Sequence, residues 1–167
     1  MAGMEYTTVY LGLGSNLGDR KDNLEKALDY LSQRLRITAK SSIYDTEAME
    51  NREQPRFLNM VCQVKTIFKP QDILMLAKSI ERKMGRQPNS HNDPRPIDID
   101  ILFYGDEIID TPELIIPHAS LPNRAFALVP MAEIAPNVVH PVTKKTISTM
   151  LAELENGIQG VMKVTCT

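Results

Sequence analysis

Arg95-Pro-Ile-Asp-Ile-Asp-Ile-Leu102 is the stretch that decides the fold, because it reads as a buried strand that carries two carboxylates. Side chains alternate between the faces of a strand, so Asp98 and Asp100 share one face and the isoleucines share the other. At about 3.3 Å of rise per residue, the two carboxylates lie about 7 Å apart. Oxygen ligands of this kind suit Mg²⁺ held jointly with substrate phosphates. The alternative is the solvated face of an amphipathic strand.

The segments around this strand predict an α+β fold. Before it, the hydrophobic periodicity predicts, in order, a strand from Tyr6 to Leu13, a helix from Asp19 to Leu35, strands from Arg36 to Tyr44 and from Phe57 to Ile67, and a helix from Pro70 to Gly85. The resulting order, βαββαβ, is that of a ferredoxin-like sandwich, an antiparallel sheet with helices packed on one face. This architecture carries many functions, so the fold alone does not identify the chemistry.

The part of the chain after the aspartate strand is rich in proline. Gly105-Asp106 predicts a hairpin turn into a short strand from Glu107 to Ile109. The prolines beyond it predict only short elements: helices from Asn123 to Val129 and Met131 to Ile134, a helix from Thr146 to Glu155, and a weak strand from Val161 to Val164.

Composition narrows the function classes. The 167 residues are expected to form one domain, residues 1–167, with 43% hydrophobic and 24% charged side chains, as in an ordinary globular protein. A net charge of −2 argues against nucleic-acid and membrane-surface partners, which usually require a basic excess. The two cysteines, Cys62 and Cys166, form neither a disulfide framework nor metal-ligand spacing. Because the N-terminal residues have neither the basic start nor the apolar stretch of a signal peptide, we expect a cytoplasmic protein. We also expect a monomer.

Two groups of basic side chains are candidates for binding phosphate. Arg86 and Arg95 flank the loop that leads into the aspartate strand, and guanidinium groups suit bidentate contacts with phosphates. His118 and Arg124 lie in a proline-fixed segment that can aim both side chains at one anion. The alternatives are solvated surface arginines and a loop histidine with ordinary hydrogen bonds.

Two further features are ambiguous when read alone. The loop Gly12-Leu-Gly-Ser-Asn-Leu-Gly18 matches neither the dinucleotide-binding nor the P-loop pattern, so it predicts a tight turn where backbone approaches a ligand or a strand. Asn59, between the apolar Phe57 and Val61 on one strand face, can read the edge of a flat heterocycle. It can equally be a hydrogen-bonded core amide.

Together these residues resemble the 6-hydroxymethyl-7,8-dihydropterin pyrophosphokinase family, whose members move diphosphate from ATP to a pterin alcohol. The resemblance covers nearly the whole chain. It is carried by Tyr10-Leu-Gly-Leu-Gly-Ser-Asn-Leu-Gly18, Phe57-Leu-Asn-Met-Val61, Asp93-Pro-Arg-Pro-Ile-Asp-Ile-Asp-Ile-Leu-Phe-Tyr-Gly105, Ile116-Pro-His118, Asn123-Arg-Ala-Phe126 and Glu133-Ile-Ala-Pro136.

The resemblance implies roles for the residues around the transferred group. Asp98 and Asp100 would hold two Mg²⁺ ions that bridge the ATP phosphates. Arg86 and Arg95 would stabilise charge on the group in transfer.

The resemblance also implies contacts with the two substrates. His118 and Arg124 would bind the triphosphate, and Glu81 and Ile101 would lie at nucleotide-contacting positions. Asn59 would hydrogen-bond the pterin, and Phe57 and Phe126 would pack on its ring. Backbone near Thr46 would contact the pterin edge.

Two loops depart from the family pattern. Many members carry another arginine and a tryptophan between the positions of Arg86 and Arg95, whereas this chain has Gln87-Pro-Asn-Ser-His-Asn-Asp-Pro94 and no tryptophan. Thr46-Glu-Ala-Met49 replaces a more proline-rich sequence in the pterin loop. Loop closure and the contacts from Glu47 onward are therefore open.

An active pyrophosphokinase has two competitors. A non-catalytic relative would bind nucleotide or pterin without turnover, but it would have no physical need for two carboxylates and two guanidinium groups around one phosphate. A two-metal nuclease or phosphatase is disfavoured by the acidic net charge and by the heterocycle-like set Phe57, Asn59 and Phe126.

Overall fold

The computed structural model describes residues 5–46, 55–85, 94–154 and 161–164. Among these residues lie eight strands: β1 Thr7–Ser15, β2 Arg36–Lys40, β3 Tyr44–Thr46, β4 Phe57–Thr66, β5 Asp98–Tyr104, β6 Ile109–Asp110, β7 Ile115–Ile116 and β8 Met162–Lys163. The described helices are α1 Arg20–Ser32, α2 Pro70–Lys83, α3 Ala125–Ile134 and α4 Ile147–Ala152, with a short 3-10 helix at Leu121–Asn123.

The main sheet confirms the predicted ferredoxin-like arrangement. Its strand order is β5-β1-β4-β3-β8, and β2 pairs with the other half of β4, so β2 and β3 share one edge of that strand. All of these pairs are antiparallel. The predicted second strand is therefore two short strands. The break falls at Ser41, whose hydroxyl accepts a hydrogen bond from the backbone N–H of Val61.

Helices α1 and α2 cover one face of the sheet, as the periodicity predicts. The side chain of Asp19 caps α1 by accepting a hydrogen bond from the N–H of Asp22, which stabilises a helix by about 1 kcal/mol. Pro70 lies in the first turn of α2, and Gly85 follows the helix with a φ of 98°. The core between sheet and helices includes Leu24, Leu31, Met60, Cys62, Ile73, Ile80, Ile97, Ile99 and Ile101.

The opposite face is also covered in part, which corrects the prediction of helices on one face only. Helices α3 and α4 pack there over a second buried cluster that includes Tyr10, Val61, Leu102, Phe103, Leu128, Met131 and Met150. Helix α3 runs through Pro130, so the two short helices predicted around that proline are one element. Pro130 is buried, and this apolar packing outweighs the backbone hydrogen bond that proline cannot donate.

Two predictions for the C-terminal half need further correction. The strand after Gly105, β6, does not pair with β5 as a hairpin would require, and it pairs instead with β7 in a separate two-stranded sheet. The last helix is shorter than predicted and begins after Thr146, whose side chain accepts a hydrogen bond from the N–H of Thr149. The predicted terminal strand is present as β8, paired with β3.

Candidate active site

Asp98 and Asp100 lie on the sheet face that α1 and α2 do not cover, as their spacing predicts. In the pairing of β5 with β1, Asp98 is opposite Gly14 and Asp100 is opposite Gly12. The space left by these glycines is taken by neighbouring side chains, since a Cβ at Gly14 would lie 2.7 Å from Asn59 Oδ1 and a Cβ at Gly12 would lie 3.5 Å from Leu102. Both aspartates are partly exposed, so their carboxylates are accessible to a ligand.

His118 and Arg124 both approach Asp100. His118 Nε2 lies 3.9 Å from Asp100 Oδ1, and Arg124 Nη1 lies 3.8 Å from Asp100 Oδ2. His118 Nδ1 accepts a hydrogen bond from the N–H of Ser120, so a neutral imidazole carries its proton on Nε2, facing the carboxylate. Burial and the neighbouring Arg124 charge lower the pKa of His118, and Asp98 opposes this shift. The structure thus brings a cationic guanidinium and a neutral imidazole donor to one carboxylate.

Arg95 lies on the side of the site nearest the start of β4. Its guanidinium carbon is 5.3 Å from the centroid of the Phe57 ring, a cation–π distance. Its Nε atom is buried and has no hydrogen-bond partner among the described residues. Arg86, the other predicted phosphate-binding arginine, lies outside the described residues, as do residues 87–93 of the loop and Glu47–Met49.

Three of the predicted pterin-binding residues lie close together where the end of β3 pairs with the start of β4. They are Thr46, Phe57 and Asn59. Thr46 pairs with Phe57, and the buried Asn59 donates a hydrogen bond from Nδ2 to Thr46 Oγ1 at 2.5 Å. Gly14 lies opposite Asn59 on β1, and a Cβ atom there would stand 2.7 Å from Asn59 Oδ1 and 3.4 Å from the Phe57 ring. The absence of a side chain at residue 14 is what leaves space for the Asn59 amide.

Phe126 stands apart from this group on α3. Arg124 lies over its ring, with the guanidinium carbon 5.3 Å from the centroid. Each described arginine of the site therefore stacks on a different phenylalanine of the predicted pterin set, Arg95 on Phe57 and Arg124 on Phe126.

A cleft of about 420 Å³ opens along the outer edge of β5. Its walls come from β5, α2 and the β7 region, and they include Asp98, Asp100, Glu81, Lys78, Leu114, His118 and Ile101. Glu81 is buried, and its Oε2 accepts a hydrogen bond from the Ile99 N–H at 2.8 Å. Alternation along a strand turns the backbone N–H and C=O of Ile101 toward the same edge. The cleft therefore joins the two aspartates to a strand edge with backbone donor and acceptor groups.

The donor set fits a hard cation that shares its coordination with phosphate. Within the described part of the chain, no cluster of three or more His, Cys, Asp or Glu side chains could enclose a metal. Two carboxylates beside open space are what Mg²⁺ uses when waters and substrate phosphates supply its remaining ligands. Asp98 and Asp100 are thus suited to Mg²⁺ bound with a nucleotide, and they lack the ligands of a dedicated protein cage.

One well-placed residue escaped the sequence reasoning. Asn16 is 1% exposed and hydrogen-bonds to the backbone on both sides of the site, at Arg95 and at Pro55. The signal was present, because Asn16 lies in the Gly12–Gly18 segment, for which we predicted a tight turn where backbone approaches a ligand or a strand. The predicted turn is wrong for residues 12–15, which belong to β1. Glu133, in the motif Glu133-Ile-Ala-Pro136, instead supports the fold. Its carboxylate accepts hydrogen bonds from Ser42 and Tyr44.

Comparison with known proteins identifies one family. The model of the family described as 7,8-dihydro-6-hydroxymethylpterin-pyrophosphokinase (HPPK) matches residues 10–136. The chain is 43% identical over 146 residues to a 2-amino-4-hydroxy-6-hydroxymethyldihydropteridine pyrophosphokinase of Aquifex aeolicus, covering 87% of this chain and 91% of that protein. It is 40% identical over 136 residues to the protein of that name from Bacillus subtilis, covering 80% and 81% of the two chains.

Other similar proteins are much longer than this chain. The folic acid synthesis protein FOL1 of Dictyostelium discoideum is 42% identical over 149 residues, which are 89% of this chain but 23% of that protein. The crystal structure of wild-type Plasmodium falciparum HPPK-DHPS with pteroate superposes with a TM-score of 0.79 at 18% identity, covering 99% of this chain and 47% of that one. This likeness supports the fold. Among the described residues, no helix has the length and apolarity needed to cross a membrane.

Proposed function

The chain belongs to the 7,8-dihydro-6-hydroxymethylpterin-pyrophosphokinase family, and from that premise we propose how its residues perform the family's reaction. The protein is a pyrophosphokinase of folate synthesis. It transfers diphosphate from ATP to the hydroxymethyl oxygen of 6-hydroxymethyl-7,8-dihydropterin. AMP is the leaving group. The observation that carries the assignment of roles is the cleft at the edge of β5, because it joins the paired carboxylates to His118 and to the strand edge at Ile101.

Asp98 and Asp100 are the proposed ligands of two Mg²⁺ ions bound together with ATP. Mg²⁺ held there would neutralise charge on the phosphates and lower the pKa of the attacking alcohol. His118 Nε2 and Arg124 Nη1 lie 3.9 Å and 3.8 Å from the Asp100 carboxylate oxygens. A bound phosphate would offer these two side chains a second anion, which would leave Asp100 available as a metal ligand.

The nucleotide is proposed to lie along the cleft. Its base would use the backbone groups of Ile101 at the edge of β5, beside the buried carboxylate of Glu81. Its triphosphate would then run toward the aspartates, where His118 and Arg124 contact it. Arg95, with a buried Nε atom that finds no partner in the described structure, is suited to the transferred group. Arg86 takes the same role on the family pattern.

The pterin is proposed to bind between Phe57 and Phe126. The rings would pack against its faces, and Asn59 would hydrogen-bond its polar edge together with backbone near Thr46. The Asn59–Thr46 hydrogen bond supports this, because it fixes the orientation of the amide before a substrate arrives. A preoriented amide loses less conformational entropy on binding.

The mechanism is an in-line displacement at the β-phosphorus of ATP. The hydroxymethyl oxygen forms a bond to that phosphorus as the bond to the α-phosphate oxygen breaks, and the alcohol proton passes to solvent. Phosphoryl-type transfer requires little covalent chemistry from the protein, so positioning and fixed positive charge account for most of the rate. We assign no general base, although Asp98 or Asp100 can accept the proton transiently.

The test is to mix the purified protein with MgCl₂, ATP and 6-hydroxymethyl-7,8-dihydropterin and to follow the phosphorus NMR spectrum. We expect AMP and a pterin diphosphate, formed only when the pterin is present. ADP would contradict diphosphate transfer. Pterin binding without turnover would favour the alternative, a non-catalytic relative that binds pterin or nucleotide.

The remaining expectations extend from the family and the composition. We propose that the protein works in the cytoplasm as a monomer on small-molecule substrates. Burial raises the pKa of the Cys62 thiol to about 12, so this side chain is an inert part of the core.

A further inference from the structure

Asn16 forms a two-point connection with the backbone of Arg95. The backbone N–H of Asn16 donates to the Arg95 carbonyl at 3.1 Å, and the Arg95 N–H donates to Asn16 Oδ1 at 2.8 Å. Asn16 is almost completely buried, so these hydrogen bonds are shielded from water. Buried hydrogen bonds of this kind fix the position of the backbone they join.

The chain needs this connection because the pairing of β1 with β5 ends just before it. The last paired residues are Gly14 and Asp98. Pro96, two residues before Asp98, has no N–H group and so cannot donate a further hydrogen bond to β1. The side-chain oxygen of Asn16 takes the place of a strand carbonyl for Arg95. The backbone that carries the guanidinium is thereby fixed beyond the end of the sheet.

The same side chain also reaches the segment that leads into β4. Asn16 Nδ2 donates to the Pro55 carbonyl at 3.3 Å, two residues before Phe57. The Arg95 guanidinium carbon lies 5.3 Å from the Phe57 ring centroid. One buried amide therefore connects the backbone beside Arg95 to the backbone beside the ring on which Arg95 stacks.

We propose that Asn16 is a positioning residue for transfer, which sets the Arg95 guanidinium relative to Phe57 and so aligns the phosphate in transfer with the pterin. This inference rests on the proposed function, in which Arg95 faces the transferred group and Phe57 faces the pterin. A displacement of about 1 Å at a reacting group can lower a rate by about 100-fold. Asn16 acts through Arg95 and does not contact the reacting atoms.

The experiment compares Asn16→Ala and Asn16→Asp with a matched control, Asn23→Ala. Asn23 supports the same loop, since its Nδ2 donates to the Leu17 carbonyl and to Ser15 Oγ, but within the described part of the chain it makes no hydrogen bond to Arg95 or Pro55. Asn16→Asp keeps the oxygen that accepts from the Arg95 N–H and removes the donor to Pro55. The measurements are kcat, the KM for pterin, and the hydrogen-exchange rate of the Arg95 amide.

We expect Asn16→Ala to lower kcat by about 10- to 100-fold and to speed exchange at the Arg95 amide at least about tenfold. Asn16→Asp should keep most of kcat and raise the KM for pterin, and Asn23→Ala should change kcat less than about twofold. In an Arg95→Ala background, Asn16→Ala should lower kcat by less than a further twofold or so, because both act through one group.

Three results would overturn the proposal. They are a kcat for folded Asn16→Ala close to that of the natural protein, full multiplication of the Asn16→Ala and Arg95→Ala effects, or an Arg95 amide whose exchange does not respond to Asn16→Ala. The exchange measurement needs no turnover. A natural protein that forms no AMP would thus refute the proposed function, while the exchange result would still test the connection.

Discussion

Glu81 and Ile99 are joined by a hydrogen bond of 2.8 Å from the backbone N–H of Ile99 to the buried Oε2 of Glu81. Ile99 stands between Asp98 and Asp100 on β5. The carboxylate on α2 therefore holds the strand edge at the residue that separates the two proposed metal ligands.

Removal of this carboxylate should destabilise the protein and weaken nucleotide binding. Glu81→Ala would leave the Ile99 N–H buried without its acceptor, at a cost of about 2–3 kcal/mol, whereas Glu81→Gln keeps an oxygen acceptor and should cost less. Urea unfolding measures the difference in free energy of unfolding, and calorimetry measures ATP affinity. Equal stability of Glu81→Ala and the natural protein would contradict the role given to this hydrogen bond.

Neutralisation of either aspartate should abolish most of the activity with little loss of stability. Asp98→Asn and Asp100→Asn each remove an anionic oxygen ligand, so kcat should fall by about 1000-fold and the Mg²⁺ concentration for half-maximal rate should rise. The matched control is Asp106→Asn, because Asp106 lies exposed in the turn just after β5. Activity within tenfold of the natural protein would argue against metal binding by this pair.

Addition of one methyl group at Gly14 should impair pterin binding selectively. In Gly14→Ala the new Cβ would lie 2.7 Å from Asn59 Oδ1, so the amide must shift. Overpacking of this kind costs about 1–3 kcal/mol, and the same cost to pterin binding would raise the KM for pterin by about 5- to 150-fold.

The control for that prediction is Gly12→Ala, in which the new Cβ would make only ordinary contacts with Leu102, the nearest at 3.5 Å. Steady-state kinetics with ATP and pterin varied separately measure both constants. If the two variants raise the KM for pterin equally, Asn59 does not read the pterin.

The ionisation of Tyr44 should be shifted to high pH. Burial, a hydrogen bond of 2.7 Å to Glu133 and the negative charge of Glu133 raise the pKa of Tyr44 to about 12. Because the unfolded value is about 10, the stabilisation is complete below about pH 10 and is lost as the pH rises toward 12. Ultraviolet titration should show a tyrosine ionisation near pH 12, and Tyr44→Phe should remove that step.

Glu133 gives the matching effect in acid. Burial opposes its ionisation, but hydrogen bonds from Tyr44 and Ser42 outweigh burial and lower the pKa of Glu133. A lowered pKa gives stability that is present above the unfolded value of about 4.3 and is lost as the pH falls through the folded value. Glu133→Gln should therefore flatten the acid side of the stability profile, and an unchanged profile would contradict the shift.

The hydrophobic pattern of the sequence correctly predicted the strands and helices whose conformation follows local periodicity. Alternation along β5 correctly placed Ile99 and Ile101 on the face opposite the aspartates, because the side-chain period of a strand is fixed by the backbone. The same local reasoning failed at Pro130, where it ended a helix. The apolar cluster under α3 holds that helix together, and such support comes from residues far away in the sequence.

The sequence was sufficient to select the candidate site residues, but it did not predict which of them contact one another. Residue types and motifs selected Asp98, Asp100, Arg95, His118 and Arg124. Their mutual contacts, and the glycine opposite each aspartate, depend on which strands are neighbours. Asn16 was missed for that reason, since its partners lie 39 and 79 residues away.

The sequence by itself determined that β1, β4 and β5 alternate with α1 and α2, and that the two aspartates share one face, because both follow from the short-range periodicity of the backbone. Only the tertiary structure decided that Arg95 stacks on Phe57, that Asp100 meets His118 and Arg124, and that Asn16 connects the two sides of the site. These contacts require chain segments to meet across the sheet, and no local preference of the backbone specifies such meetings.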